Sequence, residues 1–424
     1  MPKRIVLTTY GTFGDLYPYL AIGSELRDRG HQVALATTDF YRDKVLEHGL
    51  EFHVVRPHAP TDAEGRAELM RKAMKSYGGT SFILKELVIP ALRDSYDDLI
   101  EATRGADLLV GHPLALTARL VSEKTGIPWV SSVLQPMCFF SSDDPSVYAQ
   151  APVHLLRVFG ADFYRWLHGW LMWTAYSWAK PWHQLRAELG LPPTKQQPFF
   201  DGQHSPRLTL ALFSRHLAAP QPDWPASSRI TGFPFLKQKP VDFTACQTFL
   251  DNGPAPLVFT LGSSAVMTPG QFYEIAAAAT QQLNQRAILL AGDAAESMTF
   301  GDDRIFVANY LPHDLVMPSA SVIVHQGGVG TTAQALRSGR PQLVVPFAHD
   351  QPDNGARITR AGVGRTVSLS RWQTKRAIAE LRQLLESKQV QVRAEELGRA
   401  VRAEQGTIAA ADAIEDVLVT ARAA

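Results

Sequence analysis

Twice along the chain, short apolar runs rich in β-branched residues alternate with helix-length segments. That alternation constrains the fold more than any single residue does. The first series predicts strands at "RIVLTTY" (residues 4–10), "QVALATT" (32–38), "EFHVV" (51–55), "ADLLVGH" (106–112) and "WVSSVL" (129–134). "YPYLAIGSELRDRG" and "TDFYRDKVLEHG" between them read as helices closed by glycine. The second series predicts strands at residues 256–262, 287–292, 304–310, 321–326, 342–347 and 364–369. Strands and helices in this order build parallel sheets covered on both faces. Residues 218–240 separate the series and carry five prolines, which suit an extended connection. The expected fold is α/β, with two doubly wound, Rossmann-like domains facing a central cleft. Its expected parts are an N-terminal domain (1–220), a linker (221–240), a C-terminal domain (241–405) and a last helix (406–424) packing back on the first domain.

Open α/β sheets bind ligands beyond the carboxyl ends of their strands, so polar groups at those ends are the candidates. "SVIVHQGGVGTTAQAL" (321–336) ends a strand on His325 and then exposes backbone at Gly327, Gly328 and Gly330. The free amides and positive dipole end of the following helix suit a phosphate, and Thr331 and Thr332 can cap the helix or donate to that phosphate. An ordinary tight turn is the alternative. Ser263 and Ser264 end another strand, and "VPFAHDQPDNGAR" ends a third with His349, Asp350, Gln351, Asp353 and Asn354. After the first strand, Gly11 and Gly14 flank a turn that offers Asp15 to the cleft, or makes it a plain N-cap. Together these groups would supply donors for a diphosphate and carboxylate and amide groups for sugar hydroxyls.

The segment "YLPHDLVMPSASVIVHQGGVGTTAQALRSGRPQLVVPFAHDQPDNGARI" (310–358) resembles the donor box of the family 1, UDP-glycosyltransferase-like enzymes of GT-B fold. "GTFGDLYP" is similar to the amino-terminal turn of a bacterial branch that includes antibiotic, sterol and rhamnolipid transferases, and "QPDWPASSRITGFP" resembles the rhamnolipid rhamnosyltransferases in particular. The resemblance implies that His325 and the amides of Gly327, Gly328, Gly330 and Thr331 hold a diphosphate, with Ser263 and Gly14 beside it. Asp350 and Gln351 would bind sugar hydroxyls, and Leu311 and His313 would hold the nucleobase. Asp15 matches the general base position of the branch. Many relatives use a histidine there, and "TTYGTFGDL" has none, so a carboxylate must receive the acceptor's proton. The implied reaction is a single displacement with inversion at the anomeric carbon. The sequence has no Asp-x-Asp, so no metal and no other cofactor is expected; the nucleoside-diphosphate sugar is a co-substrate.

On the acceptor side, "FYRWLHGWLMWTAYSWAKPW" (163–182) holds five of the eight tryptophans. It reads as a helix packed in the first domain, or as an acceptor channel or lipid-touching surface in which Trp166, Trp170 and Trp173 take part. His112 faces the same cleft, as a structural or acceptor-binding histidine, and residues 135–145 form another acceptor loop. The acceptor is expected to be a hydrophobic small molecule or lipid.

Lys plus Arg (42) balance Asp plus Glu (41), which gives no basic field for nucleic acid. Cys138 and Cys246 have no metal spacing, and the apolar run at the start is short for a signal peptide. A cytoplasmic protein, in peripheral contact with the inner membrane face if its acceptor is a lipid, is the expectation. Two alternatives remain at this point: a nucleotide-dependent oxidoreductase with Asp39 on a ribose, and a catalytically silent sugar-nucleotide-binding protein.

Overall fold

All five apolar runs of the first series form strands in the structure, a computed structural model that describes residues 2–148 and 158–420. They are β1 (Arg4–Thr8), β2 (Gln32–Thr37), β3 (Glu51–Val54), β4 (Leu108–Gly111) and β5 (Trp129–Val133). Two further strands, β6 (Thr209–Ala211) and β7 (Ser228–Ile230), complete a seven-stranded sheet in the order β3-β2-β1-β4-β5-β6-β7. Each spans only three residues, and neither is among the strands the sequence predicts. β7 lies within residues 221–240, the segment read as a connection.

The second series forms β8 (Leu257–Thr260), β9 (Ala287–Leu290), β10 (Ile305–Ala308), β11 (Val322–His325), β12 (Gln342–Val344) and β13 (Gly364–Thr366). Their order is β10-β9-β8-β11-β12-β13, and every pairing in both sheets is parallel. Central strands such as β8 and β11 are buried along their whole length, as helices on both faces require.

Each sheet reverses its winding at one place, between β1 and β4 in the first and between β8 and β11 in the second. A crevice opens beyond the carboxyl ends at such a switch point. The turns after β1, β4, β8 and β11 therefore carry the candidate groups.

The last helix, Gly406–Thr420, returns to the first sheet. Its Ala410, Ile414 and Leu418 join Leu16, Tyr19 and Leu20 of the helix Phe13–Asp28 in one core. Each such fully buried Leu or Ile contributes about 1.5–3 kcal/mol. Arg29 pairs with Asp412 and Glu415 at the edge of the contact (2.6 Å each), which fixes its orientation. Residues 421–424 of the expected helix lie outside the described residues.

Candidate active site

β1 ends at Thr8, and the turn that follows must bring a carboxylate close to its own backbone. Gly11 has φ +140°, and a Cβ there would sit 2.3 Å from Asp15 Oδ2, so only glycine fits. Thr12 is the N-cap of the helix Phe13–Asp28, and Asp15 closes a capping box on it: Oδ2 accepts from Thr12 N–H (2.7 Å) and from Thr12 Oγ1 (3.1 Å). Asp15 is thus the third helical residue rather than the cap itself.

His112 follows β4 and is buried, and its Nδ1 accepts from Leu114 N–H (3.1 Å). The proton therefore sits on Nε2, which lies 3.4 Å from Asp15 Oδ1. Burial alone would push the Asp15 carboxyl up, but the His112 and Thr12 donors outweigh it and hold the group below the ordinary carboxylate range. Asp15 is ionised at neutral pH.

On the facing wall, His325 does not reach the cleft. It is fully buried; Nδ1 accepts from Gly327 N–H (3.1 Å) and Nε2–H donates to Gln342 Oε1 (3.0 Å). Burial lowers its pKa to about 4, so the ring is neutral. The expectation that His325 grips a diphosphate is corrected: it shapes the turn and also occupies the Gly327 amide. Gly327 itself has φ +93° and packs where a Cβ would meet Val344 Cγ1 at 2.7 Å.

Gly328 caps the helix Val329–Ser338, and Val329 N–H donates to Asp350 Oδ2 (3.1 Å). Gly330 and Thr331, at the second and third helical positions, keep amides without intrahelical acceptors. They line a cavity of ≈ 880 Å³ with Gly14, Ser263, Tyr310 and His313. The two walls touch here, since a Cβ on Gly330 would lie 3.6 Å from Gly14 Cα. Leu311 is buried in the core and does not line the cavity, whereas its exposed neighbour Tyr310 does. His313 Nε2 lies 3.4 Å from Thr260 Oγ1, and burial lowers its pKa to about 4.

The segment after β12 is held from both sides by the first half of the chain. Asp350 Oδ2 also accepts from Asn354 Nδ2 (2.6 Å); burial, and then the charge of Asp15 across the cleft, push Asp350 up to about 7. Gln351 is buried, and its Oε1 braces the loop by accepting from Phe347 and Ala348 N–H (2.7 and 3.0 Å). His349, at φ +56°, shares a hydrogen bond with Thr80 Oγ1 (3.0 Å). Asp353 is buried rather than open to hydroxyls. It accepts from Val147 N–H (3.0 Å) and from Arg357 Nε (2.8 Å), while Arg357 and Arg360 both pair with Asp144. Asn354 Nδ2 also donates to Gly327 O (2.9 Å).

Comparison with known proteins supplies the family. Residues 5–137 match the glycosyltransferase family 28 N-terminal domain, and residues 281–412 match the erythromycin biosynthesis protein CIII-like C-terminal domain. O-mycaminosyltylonolide 6-deoxyallosyltransferase of Streptomyces fradiae is 32% identical over 441 residues, covering 97% of this chain and 97% of that protein. The chain belongs to the GT-B glycosyltransferases of families 1 and 28. It is similar also to the sterol 3-beta-glucosyltransferase of Leptosphaeria maculans, at 29% identity over 99% of this chain but only 29% of that longer protein. Among solved structures, spinosyn forosaminyltransferase SpnP superposes with TM-score 0.73 at 16% identity (99% and 100% coverage). Spinosyn rhamnosyltransferase SpnG complexed with thymidine diphosphate superposes with TM-score 0.66 at 16% identity (97% and 100%).

Membership in the glycosyltransferases removes the oxidoreductase alternative, and Asp39 faces His58 (3.4 Å) instead. In this glycosyltransferase the tryptophan-rich segment lies on the helix Gly160–Glu188, whose two ends behave differently. Trp182 is buried and Trp178 lies under Lys85 (4.0 Å), as in a packed helix. Trp166, Trp170 and Trp173 are 65%, 50% and 75% exposed and are not among the residues lining the cavity. The packed-helix expectation fails for them, and the structure does not bring them to the cleft.

Three contributors escape the sequence reading. Gln326, buried beside His325, donates from Nε2 to Thr331 Oγ1 (3.3 Å), and Thr12 and Arg357 act as described. Strand alternation could have found Gln326, because neighbours in β11 and its extension face opposite sides. Nothing local announces Arg357, whose partner Asp144 is 213 residues away.

Proposed function

We propose that the protein transfers a hexose or deoxyhexose from a UDP- or dTDP-linked donor to a hydroxyl of a hydrophobic acceptor, with inversion and without a metal. The observation that carries this reading is an ionised Asp15, held by Thr12 and beside His112, directly after Gly14, which lines the cavity together with Gly330 and Thr331 and would meet a Gly330 Cβ at 3.6 Å. Asp15 takes the acceptor's proton as its oxygen attacks the anomeric carbon. The bond to the diphosphate breaks, its electron pair leaves with the diphosphate oxygen, and the amides stabilise that charge. Asp350 and Gln351 are proposed to meet the sugar hydroxyls. Ser263, Tyr310 and His313 border the nucleotide. Among the described residues no group of three or more His, Cys, Asp or Glu is placed to hold a metal ion; the backbone amides are proposed to serve instead.

The relatives support both sides of the reaction. One is named for deoxyallosyl transfer and another for glucosyl transfer to a sterol, and a structural neighbour holds thymidine diphosphate. No helix among the described residues is long and apolar enough to cross a membrane. The exposed Trp166, Trp170 and Trp173 are proposed to rest on a lipid surface from which a greasy acceptor is taken, in a cytoplasmic enzyme. Incubation with UDP-glucose or dTDP-rhamnose and hydroxy fatty-acid, sterol or polyphenol acceptors, read by mass spectrometry, tests the reading. Glycosylated product supports it; release of free nucleoside diphosphate with no glycosylated acceptor across the panel would count against it.

A further inference from the structure

A diphosphate that leaves with its bonding electrons gathers negative charge, and partial charges on two amides meet only part of it. The imidazole placed nearest in sequence, His325, is buried and neutral, so it supplies none. Among the described residues lining the cavity, the carboxylates are Asp293 and Asp314, and Arg66 is the one arginine or lysine.

Arg66 comes from the helix Ala63–Ala73, which belongs to the first half of the chain but leans on the second. Met70 and Met74 pack into the core around Phe272, Phe347 and Trp372, and Ser76 Oγ donates to Phe347 O. The helix is thereby fixed over the cleft. The Arg66 guanidinium is held by backbone carbonyls and a ring, not by a carboxylate: Nη1 donates to the Pro60 and Thr61 carbonyls (3.3 and 2.5 Å), and the group lies 5.5 Å over the Phe40 ring. Arg66 forms no ion pair among the described residues. The carboxylate that feels its charge, Asp62, is already engaged as the helix cap through Gly65 N–H (2.6 Å).

Phe40 connects this arginine to the amides. Its ring lies 6.2 Å from that of Phe13, and Phe13 precedes Gly14, the residue that meets Gly330. We propose that Arg66 leaves the Pro60 and Thr61 carbonyls to bind the donor's diphosphate, and that its charge stabilises the leaving group as the anomeric bond breaks. A planar guanidinium matches two phosphate oxygens at once, which an ammonium cannot do. The inference rests on the reading that the Gly330–Thr331 end holds the diphosphate.

Titration calorimetry of the full chain with uridine, UDP, thymidine and dTDP, on wild type, Arg66→Met and Arg66→Lys, tests it. Arg66→Met is expected to weaken UDP or dTDP, whichever the wild type binds, by about 10- to 100-fold, the range of a charge-assisted hydrogen bond. The matching nucleoside should bind all three proteins alike, and Arg66→Lys should recover part of the loss. Unchanged diphosphate affinity in Arg66→Met overturns the proposal. So does a parallel loss of nucleoside affinity in both variants, which would make Arg66 a structural residue. A wild type that binds the nucleosides but gains nothing from the diphosphate would overturn the site itself, and the role of Arg66 with it.

Discussion

His112 Nε2 lies 3.4 Å from Asp15 Oδ1, joining the carboxyl end of β4 to the first turn of the helix after β1. The imidazole's other nitrogen is engaged by Leu114 N–H, so the tautomer is set with the proton on the nitrogen nearer the carboxylate. His112→Gln should shift the acid limb of kcat/KM to higher pH, because the histidine is one of the groups that lower the Asp15 pKa. The pH profiles of the two proteins between about pH 4 and 7 check it. An unmoved limb would detach His112 from the base.

Asp15→Asn keeps the size and one acceptor of the side chain but cannot take a proton. Donor affinity by calorimetry should persist while transfer falls at least ~100-fold, the usual scale for a lost general base. Equal turnover would remove Asp15 from the mechanism.

The pKa of Asp350 is raised to about 7, so the folded chain keeps a proton that the unfolded chain releases from about pH 4 upward. Its contribution to stability is complete below that pH and is lost as pH rises through 7. Asp350→Asn, which can still accept from Val329, should therefore be more stable than wild type at pH 8 by at least about 1 kcal/mol, with the difference shrinking at pH 5. Urea melts at the two pH values read the outcome, and a pH-independent difference would contradict it.

Asp144 ties the first half of the chain to Arg357 and Arg360, on the helix that begins with Gln351. Asp144→Asn should cost ~1.5–3 kcal/mol in chemical denaturation, the worth of a hydrogen bond to a charged group. Arg357 keeps Asp353 as a partner, so the fold should survive. The KM for the sugar nucleotide should rise several-fold, with the affinity for the bare nucleoside diphosphate little changed. Equal losses in both would assign the pair to general stability.

Trp166, Trp170 and Trp173 share an exposed face of their helix. Replacing all three with Ser should abolish sedimentation with phosphatidylglycerol-containing vesicles while leaving transfer to a soluble acceptor intact. Co-sedimentation of wild type and variant in equal amounts would refute the lipid contact.

The cleft's location was legible without coordinates. Apolar runs at 4–10 and 321–326, each followed by a glycine-rich turn and a helix, put both candidate turns at strand ends, and the two switch points of the sheets fall there. The direction of a side chain at such an end was not. His325, next to three glycines, has the chain position of a cleft residue, yet its ring turns inward to Gln342, 17 residues on. The resemblance assigns Gln351 to sugar hydroxyls, and in the structure its carbonyl end braces the loop that carries it.

What the sequence by itself determined is whatever repeats at short range: eleven of the strands, the turns after them, and a carboxylate three residues past the first turn, because periodicity and glycine placement act through neighbours in the chain. What only the tertiary structure decided is which of those polar groups meets which. Asp15 finds His112 after β4 because β1 and β4 lie side by side in one sheet, whereas Asp353 finds Val147 and Arg357 finds Asp144 across more than two hundred residues. Burial then leaves His325 neutral, while the His112 and Thr12 donors keep Asp15 charged against it, and both balances depend on surroundings that no local pattern records.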